Sequence, residues 1–205
     1  MITLENIMSI PKCDLQDTSK DLSNSDIPQL VKWLSLKDDD IRYKAFLLLQ
    51  SRSISFNDVY PFWDAFREKL NNDNSYQRSI GLMLIAENVR WDAENRMEDT
   101  IDEYLALLKD EKPITIRQCI QSLGKVAKFK PNLNEKIAER LISFDIMSFK
   151  ESMRKTTLLD ILNVLLIIRK EYKTDEIESF ILNALSCEIL DIKTKKKIEM
   201  SLRGV

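Results

Sequence analysis

Residues 113–124 read PITIRQCIQSLG, and the same pattern recurs as DDDIRYKAFLLL from Asp38, NSYQRSIGLMLI from Asn74 and FKESMRKTTLLDIL from Phe149. In each copy a polar turn precedes an arginine (Arg42, Arg78, Arg117 and Arg154), and a small or apolar residue follows three later: Ala45, Gly81, Ile120 and Thr157. The arginines are 36, 39 and 37 residues apart. A fixed period of this length, with apolar residues at helical spacing inside it, is the mark of stacked two-helix units, each too small to bury its own apolar face. A degraded fifth copy centres on Lys195, with Ile198 and Leu202 at the following apolar positions. Terminal repeats depart from the pattern because their outer face caps the stack.

The stretches between these copies supply the partner helices. Ile27, Leu30, Val31 and Leu34 form one apolar stripe, Ile101, Leu105 and Leu108 another, and Ile137, Leu141 and Ile142 a third. Start signals stand ahead of them or between them: Ser25-Asp26 before Pro28, Asn57-Asp58, Pro113, Pro131 and Thr174-Asp175. Caps of this kind with proline in the first turn begin helices. Only three glycines and five prolines occur in 205 residues, while strand signals are nearly absent. The expected fold is therefore all-α, an α-solenoid of about five helix pairs in one right-handed superhelical stack over residues 25–205. Residues 1–24 fall outside the repeat and read as a short capping helix around Leu4 to Met8, followed by a polar linker, QDTSKDLSNSD.

A helix ending in a leucine pair, an acidic turn, then Ile-Arg, a small residue and a second apolar helix resembles the HEAT repeat of the armadillo-like superfamily. The stretch YLALLKDEKPITIRQCIQSLGKVAKFKP from Tyr104 carries that likeness best. The segments DDDIRYKAFLLLQ and DNSYQRSIGLMLIAENVRWD are also similar to a group of uncharacterised bacterial HEAT-like proteins. The resemblance implies architecture and little chemistry, since such repeats serve scaffolds, transport receptors, lyase-associated proteins and one class of DNA glycosylase.

Composition excludes much. With no histidine there is no Ser-His-Asp or Cys-His catalysis and no His-ligated zinc; with glycine only at 81, 124 and 204 there is no glycine-rich phosphate cradle. Cys13, Cys119 and Cys187 are too far apart for a metal-ligand motif and fit a reducing compartment. The N-terminus lacks a secretory pattern, and the most apolar run, Leu158 to Ile168, is 11 residues and carries Asp160 and Asn163, too short to span a bilayer. A cytoplasmic, non-enzymatic protein with no cofactor and no membrane contact is expected.

The net charge is −2, but residues 1–110 hold 13 basic and 20 acidic side chains and the remainder 18 and 13. The basic second half, with Lys125, Lys128 and Lys130 and then Lys193, Lys195, Lys196 and Lys197, offers a place for an anionic partner. Phe129 is its one interleaved aromatic, which is poor for stacking on bases. The pairs Trp63-Asp64 and Trp91-Asp92, the latter near Arg90 and Arg96, bring to mind the HEAT-like alkylpurine DNA glycosylases, but both lie in the acidic half. Trp63 is expected to pack between helices with Phe62 and Phe66, and Trp91 to close a loop. The turn residues Asp40, Arg42, Arg78, Arg117 and Arg154 read as structural: acids capping helix starts, and arginines pairing with the turn of the neighbouring repeat. Asp38, Asp39 and Asp40 lack the spacing of a calcium loop.

Positions one, five and eight after each arginine share one helix face, opposite the apolar stripe: Tyr43, Leu47 and Gln50; Ser79, Met83 and Ala86; Gln118, Ser122 and Lys125; Lys155, Leu159 and Leu162. This row is poor in charge and reads as a concave groove for a protein or peptide segment, with Leu47, Met83 and Leu159 inserting and Tyr43, Gln50 and Gln118 making polar contacts. The expected function is a monomeric interaction scaffold or adaptor. The alternatives are a nucleic-acid-binding protein of the glycosylase type, whose binding would collapse with moderate salt, and a regulatory subunit or assembly factor of a larger enzyme. Cys119, in the third copy, is expected to be buried and inert.

Overall fold

The computed structural model describes residues 2–202, all helix and turn, with no strand among the described residues. Met1 and residues 203–205, the outer ends of the expected 1–24 segment and 25–205 domain, lie outside them. In chain order the helices are α1 (Leu4–Ser9), α2 (Leu15–Asp21), α3 (Ile27–Trp33), α4 (Asp39–Ser55), α5 (Trp63–Lys69), α6 (Ser75–Asn88), α7 (Arg96–Ala106), α8 (Pro113–Phe129), α9 (Asn134–Ile142), α10 (Glu151–Ile168), α11 (Asp175–Ser186) and α12 (Ile192–Leu202). The long helices α4, α6, α8 and α10 start where the four sequence copies start, and α12 covers the fifth. The chain divides into two compact units on either side of the Tyr104–Leu105 bond, where one domain over 25–205 was expected.

In the first unit, the Asp38 carboxylate accepts the Ile41 amide at 3.0 Å and Asn74 accepts the Tyr76 amide at 2.9 Å, so short polar side chains set the starts of α4 and α6. Asp40, expected as a cap, is an exposed residue of the first turn. Leu30, Leu34, Leu48, Leu49, Trp63 and Phe66 form the core. Helix α6 approaches α5 closely at Gly81, where an added Cβ would lie 2.6 Å from the Phe66 carbonyl oxygen and 3.0 Å from Lys69 Cβ. The small residue of the second copy is thus a contact requirement.

The segment before residue 25 departs from expectation. The first part of the polar run expected as a linker, up to Asp21, belongs to α2, and both α1 and α2 pack on α4. Two buried cations on α4 hold them. Lys44 Nζ donates to the carbonyls of Ile7, Met8 and Ile10 at 3.1, 2.7 and 2.8 Å, at the C-terminal end of α1. Arg52 donates to the Ser19 and Lys20 carbonyls at 3.1 and 2.8 Å, pairs with Asp58 and lies over the Phe56 ring. Cations at helix C-termini meet carbonyls that the helix itself leaves unpaired.

In the second unit, α8 packs against α10 and against the turn Leu107–Lys109, and α9 packs against α10 and α11. Ile120, Leu123, Ile137, Leu141, Ile161 and Leu165 are fully buried. Thr174 caps α11 by accepting the Ile177 amide. Asp110 instead takes the Lys112 amide, and Lys112 stands at the N-cap of α8 without a side-chain cap bond. Cys119 is fully buried, and burial, with Asp110 nearby, pushes its thiol above the ordinary range.

The repeated arginines correct one expectation. Three of them fold back into the turn of their own pair: Arg42 onto the Leu36 carbonyl at 2.9 Å, Arg78 onto those of Asn72 and Asp73 at 2.8 and 2.9 Å, and Arg154 onto those of Phe149 and Met147 at 2.9 and 3.1 Å. An arginine in the first turn of a helix reaches back five to seven residues, so its own turn is the nearer acceptor. Arg117 instead hydrogen-bonds an acid of another pair, donating to Asp160 of α10 at 2.7 Å, where Gln121 donates to the other carboxylate oxygen at 3.0 Å.

Candidate functional site

Helices α4 and α6 lie side by side and run the same way. At their starts the Arg42 guanidinium sits 5.9 Å from the centre of the Tyr76 ring. At their ends, Arg90 donates to the Ile54 carbonyl at 2.9 Å and Trp91 Nε1 to the Ser53 carbonyl at 2.7 Å. On α4, Tyr43 (47% exposed), Leu47, Gln50 and Ile54 (44%) follow one another at intervals of four, three and four, so they form one stripe, with Leu47 and Gln50 half-buried. On α6 the same side carries Tyr76 (70%) and the half-buried Met83. The opposite face of α4 is occupied by Ala45, Leu48, Leu49 and Arg52. Lys12 Nζ lies 5.3 Å from the Tyr43 ring centre, so the N-terminal segment adjoins this face.

Four members of the expected row belong to the sequence pattern but not to an open surface. Ser79 and Ser122 are buried, as are Ala86 and Leu162. A side chain with one heavy atom beyond Cβ does not reach past α6 where it packs on α4, or past α8 where it packs on α10. These positions lie beneath the surface of their own units. In the second unit Gln118, Lys125 and Leu159 are half-buried, and the exposed Lys155 is joined to Asp191, whose carboxyl that contact holds below the usual carboxylate range. Ile54 and Tyr76 were missed. Ile54 continues the α4 spacing one step beyond the positions considered, and Tyr76 precedes Met83 by seven residues, which puts it near the same helix azimuth.

In the Trp-Asp pairs both tryptophans and Asp92 are engaged within the fold, while Asp64 is exposed. Trp63 is fully buried and donates to Thr100 Oγ1 at 3.1 Å. Asp92 is buried and caps α7: one carboxylate oxygen accepts the Arg96 amide and the Tyr60 hydroxyl, both at 2.9 Å, and the other accepts the Met97 amide at 3.0 Å. Burial and that hydrogen bond push the Tyr60 phenol up to about 12. Lys69, half-buried between Ser35 Oγ at 3.1 Å and Gln77 Oε1 at 2.6 Å, is lowered from its ordinary range by burial. Gln77 in turn donates to the Leu34 carbonyl at 2.8 Å, tying the first pair's turn to α6.

No family model matches this chain, and no curated protein matches it. Among solved structures, one described as an engineered protein is similar, with a TM-score of 0.56 and 15% identity over 93% of this chain and 86% of that one. At that identity the likeness shows the all-helical fold and nothing of function. No helix among the described residues is long and apolar enough to cross a membrane.

Proposed function

We propose that this chain is a HEAT-like repeat module, monomeric, cytoplasmic and non-enzymatic, that binds a segment of a partner protein on the α4–α6 face. The observation that carries the reading is the stripe of Tyr43, Leu47 and Ile54 on α4 beside Tyr76 and Met83 on α6, with Gln50 among them. Aromatic side chains and methionine are enriched where protein interfaces bury their centres, and two adjacent parallel helices leave a shallow trough into which a partner helix inserts residues at three- and four-residue spacing. The turn arginines support the repeat assignment, three of the four doing the same job. The glycosylase alternative needs Asp92 as a reacting acid, and both of its oxygens are engaged as a helix cap. The test is capture from the native host with the intact protein and with Leu47→Asp/Met83→Asp, compared at low and moderate salt and after nuclease. A partner retained by the intact protein through salt and nuclease, and lost by a variant whose circular dichroism is unchanged, supports the surface. A partner held equally by both contradicts it.

A further inference from the structure

The third helix pair breaks the arginine pattern, and its turn lines a cavity. Arg117 is committed to Asp160, so no guanidinium folds back toward the turn at residues 107–112 as it does in the first, second and fourth pairs. That turn, the start of α8 and the loop after α9 border an open cavity of about 430 Å³ within the second unit, inside the range of roughly 300–1,000 Å³ usual for small-molecule sites. Leu105, Leu108, Ile116, Phe144 and Phe149 give it an apolar lining, the two phenylalanine rings standing 5.8 Å apart and tilted by 53°.

Ser143, Ser148 and four charged side chains complete the lining, and the charged four are not equivalent. Asp145 accepts the Met147 amide at 3.0 Å, and Asp110 the Lys112 amide at 2.8 Å, so both carboxylates serve their own turns. Lys109 and Arg140 are exposed at the rim, and among the described residues neither side chain has an ion-pair or hydrogen-bond partner. An open apolar cleft with two uncommitted cations at its edge is complementary to a molecule with an apolar body and an anionic head.

We infer that this cavity binds a small amphipathic carboxylate, its body against Phe144 and Phe149 and its head at Lys109 and Arg140. The inference is independent of the α4–α6 surface. It is tested by titration calorimetry of the full chain with three probes sharing one ring system: 1-naphthoate, 1-naphthalenemethanol and 1-naphthylmethylammonium. The expected result is one-to-one binding of naphthoate, the alcohol at least tenfold weaker and the ammonium weaker still. Lys109→Gln/Arg140→Gln, which alters only exposed side chains, is expected to weaken naphthoate at least tenfold, and Ser148→Trp, which places a ring at the cavity wall, to abolish its binding. No saturable binding of naphthoate, equal binding of the three probes, or unchanged affinity in the folded double variant would overturn the inference.

Discussion

Lys44→Met probes how the first unit holds its N-terminal segment. The substitution keeps the length and packing of the side chain and removes an ammonium that serves three carbonyls. Hydrogen bonds to a charged group contribute about 1.5–3 kcal/mol each, but the three are not additive. The Met8 and Ile10 carbonyls are only part-buried, so water replaces their donor, and methionine no longer has a charge to desolvate. What persists is the Ile7 carbonyl, whose bond is buried, at about 1–3 kcal/mol, with a further contribution of about 0.3–1 kcal/mol from the charge at the C-terminus of α1. The two sum to about 1.3–4 kcal/mol, with a central value of about 2–3 kcal/mol. Because α1 packs chiefly on α4, the loss falls on local docking. At about 1.4 kcal/mol per tenfold, opening of α1 becomes roughly 30- to 150-fold more frequent. Native-state amide exchange reads this directly: protection at Ile7, whose amide bonds the Thr3 carbonyl, falls by that factor while amides in α8 and α10 change less than about twofold. Protection at Ile7 within about twofold of the parent protein would refute the assignment of Lys44 as the tether.

Three further outcomes follow from the packing and the charges. Gly81→Ala sets a methyl against a backbone oxygen of α5 that has no rotamer to escape to, so a loss of about 1–3 kcal/mol is expected in a denaturant titration; an unchanged midpoint would mean that α5 and α6 are not so close. Asp160→Leu leaves Arg117 and Gln121 without an acceptor and is expected to cost about 2–3 kcal/mol, with Arg117→Met recovering more than about 1 kcal/mol of it in the double variant; strict additivity would contradict the pairing. Tyr60 has its folded-state pKa raised above the unfolded value, so its hydrogen bond to Asp92 stabilises the fold below pH 10 and that contribution is lost as the pH rises toward about 12. Ultraviolet titration of the phenolates should show one group ionising near the top of that window, absent in Tyr60→Phe; an identical curve would refute the contact.

Much of this was legible because the information is local. Asp38, Asn74, Pro113 and Thr174 mark helix starts by chemistry acting within three residues, and the helices begin where those residues stand. The burial of Ala45, Gly81, Ile120 and Thr157 followed from their place three residues after each arginine. What escaped is long-range. QDTSKDLSNSD is polar enough to read as a linker, and it is helical up to Asp21 because Leu15, Ser19 and Leu22 are buried and because Arg52 reaches its carbonyls from more than 30 residues away. Nothing in the spacing told Arg117 apart from its three counterparts; the difference is Asp160, an acid inside the most apolar run of the chain. Of the expected row, Tyr43, Leu47, Gln50 and Met83 lie together on an accessible face. Ser79 and Ser122 do not, since equal azimuth on a helix gives no access where the side chain is short and a neighbour overhangs it.

The α4–α6 face is tested most directly by placing the photoreactive p-benzoylphenylalanine at position 47 or 83, and for contrast at the exposed Asp64 of α5, and irradiating the protein in its native host. The proposal predicts one and the same partner protein cross-linked from 47 and from 83, and not from 64. A partner cross-linked from 64 alone, or one that co-purifies with all three variants and is never cross-linked from 47 or 83, would contradict it.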